Sequence, residues 1–189
     1  MSRIKLVNEE KNISYDTEES VINLLYYIFD ICKTSYDKIR PGHMLGDFRG
    51  CAHFFGTEAQ ALDPELVALQ MLANNRAYGK WQGNLMKHRV ISFRELDSVM
   101  PNEAFNLAAY IAKAYGENYI TAYGIHMDTN NIHIHLAIDT ISWKDGSRFN
   151  ISYELKWLWA MVDSWMRKRD EYLFSDYRAL QRCDDYYGF

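Results

Sequence analysis

Three of the chain's six histidines fall in one ten-residue run, HMDTNNIHIH, from His126 to His135. A neutral imidazole is a ligand for divalent transition metals, and three of them leave coordination positions open for water or substrate. Whether they meet depends on how the chain folds there. Residues 119–126 are rich in β-branched and aromatic types (Tyr119, Ile120, Thr121, Tyr123, Ile125), which favours a strand. Residues 132–138 alternate bulky apolar residues with others, the period of a strand. Between them, Asp128-Thr129-Asn130-Asn131 is turn chemistry. A two-residue turn at Thr129-Asn130 sets His126 opposite His133. Alternation of side chains then puts His135 on the same face. Gly124 falls opposite His135, with Ala122 and Ala137 nearby, so these small residues leave space above the rings. Ile125, Ile132, Ile134, Leu136 and Ile138 take the other face as core. A shifted turn would separate the histidines.

The run resembles the metal-binding motif of conjugative relaxases of the plasmid-mobilisation type (MobA/VirD2-like), within the HUH class of endonucleases. That family has a first His, an Asp two residues on, and then His-x-His. Here these are His126, Asp128, His133 and His135. Asp139 stands where an Asn-containing tail usually follows. The family's first-helix pattern is matched by LLYYIFDICKT, with Tyr27, Ile28, Lys33 and Thr34 in register. The nucleophile carried over is Tyr27, with Tyr26 the fallback if the helix is rotated. KHRVISF resembles the family's strand His-x-Val-x-Ser-Phe through His88, Val90, Ser92 and Phe93. By parity His88, Val90 and Ser92 share one face; the resemblance implies that this strand neighbours the metal hairpin, where His88 is expected to contact substrate phosphate or support a ligand.

The resemblance implies a relaxase that nicks single-stranded DNA at an origin of transfer. The expected product is a tyrosine joined to the 5′ phosphate, with a free 3′ hydroxyl, so that the strand can be rejoined during conjugative mobilisation. A phenol ionises only near pH ~10 and needs a neighbouring cation or base. Mn²⁺ or Mg²⁺ is the family expectation, while three nitrogen ligands suit Zn²⁺ or Mn²⁺ better than Mg²⁺. Asp128 fixes the turn or holds a ligand imidazole. Accessory relaxosome proteins and a coupling protein are the further partners implied. Tyr78, Trp81 and Trp143 are candidates for stacking on single-stranded bases. Three other readings stay open: a rolling-circle replication initiator of the same class, a cupin-like small-molecule metalloenzyme using His133, His135 and Asp139, and a degenerate relaxase fold that binds DNA without cutting.

The elements that must position these residues follow from pattern. Residues 3–7 suggest a strand and residues 8–16 a polar loop. Thr17-Glu18-Glu19-Ser20 opens a helix, with Val21, Leu24, Leu25, Ile28 and Cys32 as its stripe. Tyr27 borders that stripe and Tyr26 points further from it. Arg40-Pro41-Gly42 marks a turn. Residues 44–55 suggest short strands broken at Gly46 and Gly50, and His43 and His53 read as structural or surface. Asp63-Pro64-Glu65 opens a helix that packs through Leu66, Leu69 and Leu72 or Ala73. Residues 85–93 form a strand. Pro101 opens a helix packing through Phe105, Ala108, Ala109, Ile111 and Ala112. Ser152 caps a helix to about residue 170, where Arg167-Lys168-Arg169 serves as a cationic cap or as a DNA contact. A second helix and a frayed end follow.

The expected fold is α+β, a mainly antiparallel sheet with helices packed on one face, the relaxase (HUH nuclease) fold. The resemblance covers roughly residues 1–170 of a single domain spanning 1–189, with a helical tail at 171–189. Apolar residues at 48% allow a sizeable core. A net charge of −4 argues mildly against a nucleic-acid partner, although a bound divalent cation adds positive charge where it matters. Three scattered cysteines fit a reducing cytoplasm. Residues 1–12 lack an apolar signal core, and no apolar run is long enough to span a membrane.

Overall fold

The computed structural model describes residues 3–34, 46–50 and 63–187. Five strands among them form one sheet: β1 (Arg3–Leu6), β2 (Gly46–Arg49), β3 (Met86–Ser92), β4 (Thr121–His126) and β5 (His133–Asp139). Their order is β1-β3-β5-β4-β2. Every pairing is antiparallel. The histidine-bearing hairpin β4–β5 therefore lies at the centre, and the edges are short strands of four residues each.

The helices are α1 (Val7–Lys11), α2 (Glu18–Ile28), α3 (Ile31–Thr34), α4 (Pro64–Ala77), α5 (Pro101–Gly116) and α6 (Glu154–Tyr187). α2 starts at a reciprocal cap: Ser20 N–H donates to Thr17 Oγ1 at 3.1 Å, and Thr17 N–H donates to Ser20 Oγ at 3.2 Å. α4 starts at Asp63, whose carboxylate accepts from the Glu65 and Leu66 amides, with Pro64 in the first turn. α5 also carries its Pro in the first turn.

Helices cover both faces of the sheet, not one. α2 and α4 pack on the face that carries Met86, Ala122 and Ala137, through Val21, Leu24, Leu25, Ile28, Val67, Ala68, Met71 and Leu72. α5 lies on the opposite face, where Phe105 meets Tyr123 with ring centroids 5.6 Å apart. There Ile125, Ile134, Leu136 and Ile138 are fully buried. A central strand that is apolar on one side and half small, half histidine on the other needs cover on both.

Several expectations are corrected. Residues 8–16 are not all loop, since α1 occupies their start. It is tied down by Arg89, fully buried and paired with Glu9 at 2.9 Å. The first helix ends at Ile28 rather than running through Cys32, which is exposed. Asp30 restarts a turn there, its carboxylate accepting from the Cys32 amide at 2.9 Å. Gly46 lies within β2, whereas Gly50, at φ 125°, follows its end. α4 packs through Val67, Ala68, Met71 and Leu72, while Leu66 and Leu69 are exposed. Its apolar residues lie almost all round the helix, so spacing alone names no face. α5 uses Ala104, Leu107, Ala108, Ile111 and Ala112, with Phe105 and Ala109 only half-buried. Beyond Glu154 a single helix continues to Tyr187. Arg167 and Arg169 are therefore not at a helix end, and they pair with Asp163 and Asp170. The proposed turn at residues 40–42, and His43 and His53, lie outside the described residues.

The chain divides into two compact units, residues 1–152 and 153–189. The sheet, α1 to α5 and the candidate site all belong to the first. Among the described residues no helix is long and apolar enough to cross a membrane.

Candidate active site

The predicted register is the observed one: His126 pairs with His133, Ile125 with Ile134, and Gly124 with His135. Strand ladder bonding stops there. The Met127 amide turns to the Lys33 carbonyl at 2.9 Å and the Phe93 amide to the Ile132 carbonyl at 3.0 Å. Residues 127–132 thus form a wider connection than the two-residue turn expected, without change of register. β3 lies beside β5 with Val90 opposite His135 and His88 opposite Ala137. Partners across an antiparallel ladder share a face, so His88 joins the three histidines on one side.

The space over Gly124 and the small residues is filled by α2. A Cβ at Gly124 would overlap the Ile28 carbonyl oxygen. That close approach lets the Ile28 carbonyl accept from His126 Nε2 at 3.1 Å. With the Met127–Lys33 bond, it clamps the end of α2 and the last turn of α3 to the hairpin. Tyr27, one residue before Ile28, is thereby held over the rings. Its ring centroid is 5.0 Å from that of His126 and 5.2 Å from that of His135, both edge-on. Tyr27 is 42% exposed and lines a cavity of about 670 Å³ together with His88, His126, Asp128, His133 and His135. Lys33 Nζ sits 4.2 Å from its ring centroid. Tyr26, 51% exposed, is not among the residues lining that cavity.

Each imidazole of the trio has one nitrogen engaged. His126 gives Nε2 to Ile28, His135 Nδ1 faces His88 Nε2 at 3.1 Å, and His133 Nδ1 faces Thr129 Oγ1 at 3.4 Å. A metal-binding histidine commonly directs its other nitrogen to such a partner. The rings of His126 and His135 are 4.2 Å apart by centroid, and those of His133 and His135 are 6.2 Å apart. Burial, the largest cause in each case, lowers the pKa of all three, that of His135 to about 2. Neighbouring imidazoles push His135 the same way, whereas Asp128 acts against the fall at His126 and His133. The donor set is thus three neutral imidazoles on one face, which fits a divalent cation. Among the described residues no three His, Cys, Asp or Glu side chains stand ready-converged on one point, so the rings must turn to share an ion.

Asp128 is exposed at the cavity wall. Asp139 is fully buried, and its carboxylate accepts from Asn74 Nδ2 at 2.8 Å and from the Ile141 amide at 2.9 Å. It does not line the cavity, which removes the third member of the cupin-like set. Of the stacking candidates, Trp81 is 60% exposed. Tyr78 is bonded to the Trp143 carbonyl at 2.9 Å, and Trp143 Nε1 to the Gly116 carbonyl at 3.0 Å, so both are tied into the fold. Tyr15, Thr129 and the Ile28 carbonyl were not foreseen. Only Thr129, four residues before His133, carried a local signal.

This chain belongs to the relaxase family: the profile described as "Relaxase: MobA/VirD2-like, nuclease domain" matches residues 48–170. The match includes all four histidines of the site and Asp128, but not Tyr27. Within known proteins the chain is similar to Protein rlx of Staphylococcus aureus, 32% identical over 78 residues. That alignment covers 41% of this chain and 23% of the relative, so it spans less than a quarter of that protein's length. No solved structure matches the chain significantly.

Proposed function

We propose that the chain is a relaxase domain that nicks single-stranded DNA at an origin of transfer, with Tyr27 as nucleophile. The supporting observation is the ring of Tyr27 lying 5.0 and 5.2 Å from His126 and His135 in one cavity. The Tyr27 oxygen attacks the scissile phosphorus. An O–P bond to Tyr27 forms as the bond from phosphorus to the 3′ oxygen breaks. The phenolic proton is given up and the departing 3′ oxygen takes one. The product is a 5′-phosphotyrosine and a free 3′ hydroxyl, with the ester retained for rejoining. Lys33 Nζ stacks on the face of the Tyr27 ring, 4.2 Å from its centroid, and helps to hold the phenol in place.

His126, His133 and His135 would hold a divalent cation, Mn²⁺ or Mg²⁺ by family expectation and Zn²⁺ by ligand chemistry. When bound, such an ion neutralises charge on the phosphate oxygens. Ile28, Thr129 and His88 orient the imidazoles from behind, and Asp128 contributes its charge at the cavity wall. Accessory relaxosome proteins and a coupling protein are the partners of such a domain, which acts in the cytoplasm. We take residues 1–189 as one functional domain, with the helical tail at its end.

The test is a labelled single strand from the cognate mobile element, incubated with protein and Mn²⁺. Wild type and Tyr26→Phe should form a covalent adduct, while Tyr27→Phe and His133→Ala should not. An adduct that persists in Tyr27→Phe and is lost in Tyr26→Phe would overturn the assignment.

A further inference from the structure

On the histidine face of the sheet, a line of three side chains ends in a phenol. Tyr15 Oη lies 3.0 Å from His88 Nδ1, and His88 Nε2 lies 3.1 Å from His135 Nδ1. Tyr15 is fixed there by its backbone. Its amide donates to Asn84 Oδ1 at 3.1 Å, and its carbonyl accepts from the Leu85 amide at 2.8 Å. His88 is fixed in turn, its amide donating to Asn8 Oδ1 at 2.7 Å. Tyr15 and His88 both line the cavity that holds Tyr27, as do Lys5 and Lys11.

Each link of this line holds one proton. Both imidazoles are buried, and the two short contacts leave two ways to arrange the protons along the line. In one arrangement Tyr15 O–H donates to His88 Nδ1, and His88 Nε2–H donates to His135 Nδ1. His135 then carries its hydrogen on Nε2 and has no lone pair left for a cation. In the other, His135 Nδ1–H donates to His88 Nε2, and His88 Nδ1–H donates to Tyr15 Oη. Only then is His135 Nε2 a ligand. Only then, too, is the Tyr15 hydroxyl hydrogen released from His88.

We propose that Tyr15 is a positioning residue that selects the metal-binding tautomer of His135 through His88, and that cation uptake turns the Tyr15 hydroxyl into the cavity as a donor to a substrate phosphate oxygen. The proposal rests on the reading of His126, His133 and His135 as ligands. It makes cation loading and phosphate recognition two ends of one hydrogen-bonded line.

The probe is Zn²⁺ added to full-length protein labelled with ¹⁵N-histidine, read by long-range ¹H–¹⁵N spectra of the rings and by calorimetry. With Zn²⁺, wild-type His88 should carry its proton on Nδ1. Tyr15→Phe, which removes the acceptor of that proton, should bind Zn²⁺ about tenfold more weakly. Zn²⁺ binding equally to wild type and Tyr15→Phe, with His88 protonated on Nε2, overturns the relay alone. So does weaker binding with no tautomer change, which marks lost packing. Absence of Zn²⁺ binding to wild type, or equal binding to His133→Ala, overturns the ligand reading and the relay with it. The wild-type spectrum decides the matter even if Tyr15→Phe fails to fold.

Discussion

At His135 one ring nitrogen is engaged by a neighbouring side chain, and at His126 and His133 too one nitrogen is engaged. Such division suits residues that must present one lone pair outward in a defined direction. Because burial holds these rings neutral, cation uptake at pH 7.5 should displace no protons. Calorimetry with Mn²⁺, a weaker acid than Zn²⁺ toward its bound water, in buffers of different ionisation heat should give the same enthalpy in each; a clear buffer dependence would mean that a ring is charged in the free protein. Asp139 behaves in the opposite sense. Burial pushes its carboxyl up to about 7, against hydrogen bonds from the Ile141 amide and Asn74. Between about pH 4 and 7 the folded chain then holds a proton there that the unfolded chain has released. Stability therefore falls as pH rises through that window. The Tm of wild type minus that of Asp139→Asn should decline from pH 4.5 to 7.5. A flat difference would place an ionised carboxylate in the folded state throughout.

At the scale of elements, the site is made by a helix end pressed on a hairpin. The hairpin register was legible in the sequence because alternation and turn residues agreed. The approach of α2 was not, since His126 and Ile28 are 98 residues apart and nothing local records which helix fills the gap over Gly124. Tyr15 was equally hidden. It sits in a polar stretch with no periodicity, and its role comes from backbone bonds to Asn84 and Leu85. Two substitutions separate these contributions. Gly124→Ala forces α2 off the hairpin; overpacking of this kind costs about 1–3 kcal/mol. Denaturant unfolding should show that loss, and adduct formation should fall with it. Thr17→Ala removes the α2 cap, worth about 1 kcal/mol, yet leaves the Ile28–Gly124 contact intact. It should lower stability while retaining adduct formation. Equal loss of activity in both would mean that stability alone, not placement of Tyr27, governs the reaction.

For the whole molecule, net charge is −4, yet Lys5 and Lys11 line the cavity. A local basic rim on an acidic protein predicts few phosphate contacts and a shallow salt dependence. For two contacts on a single strand, the slope of log affinity against log salt should be about −1.4. Lys11→Ala should reduce it by roughly 0.7, measured by fluorescence anisotropy. A slope steeper than about −4 would require a much larger basic footprint than this rim. The α+β class and the antiparallel sheet could be read from pattern, as could the face shared by the histidines. Helices on both sheet faces could not, because periodicity assigns each helix a buried stripe without saying which side of the sheet receives it.

Tyr27 is the nucleophile proposed for covalent capture of the strand. The most direct measurement of that role is fragmentation mass spectrometry of the trapped protein–DNA adduct after nuclease and protease digestion. The nucleotide mass should reside on Tyr27, within the peptide that also contains Tyr26. Localisation on Tyr26 or Tyr15, or on no tyrosine at all, would contradict it.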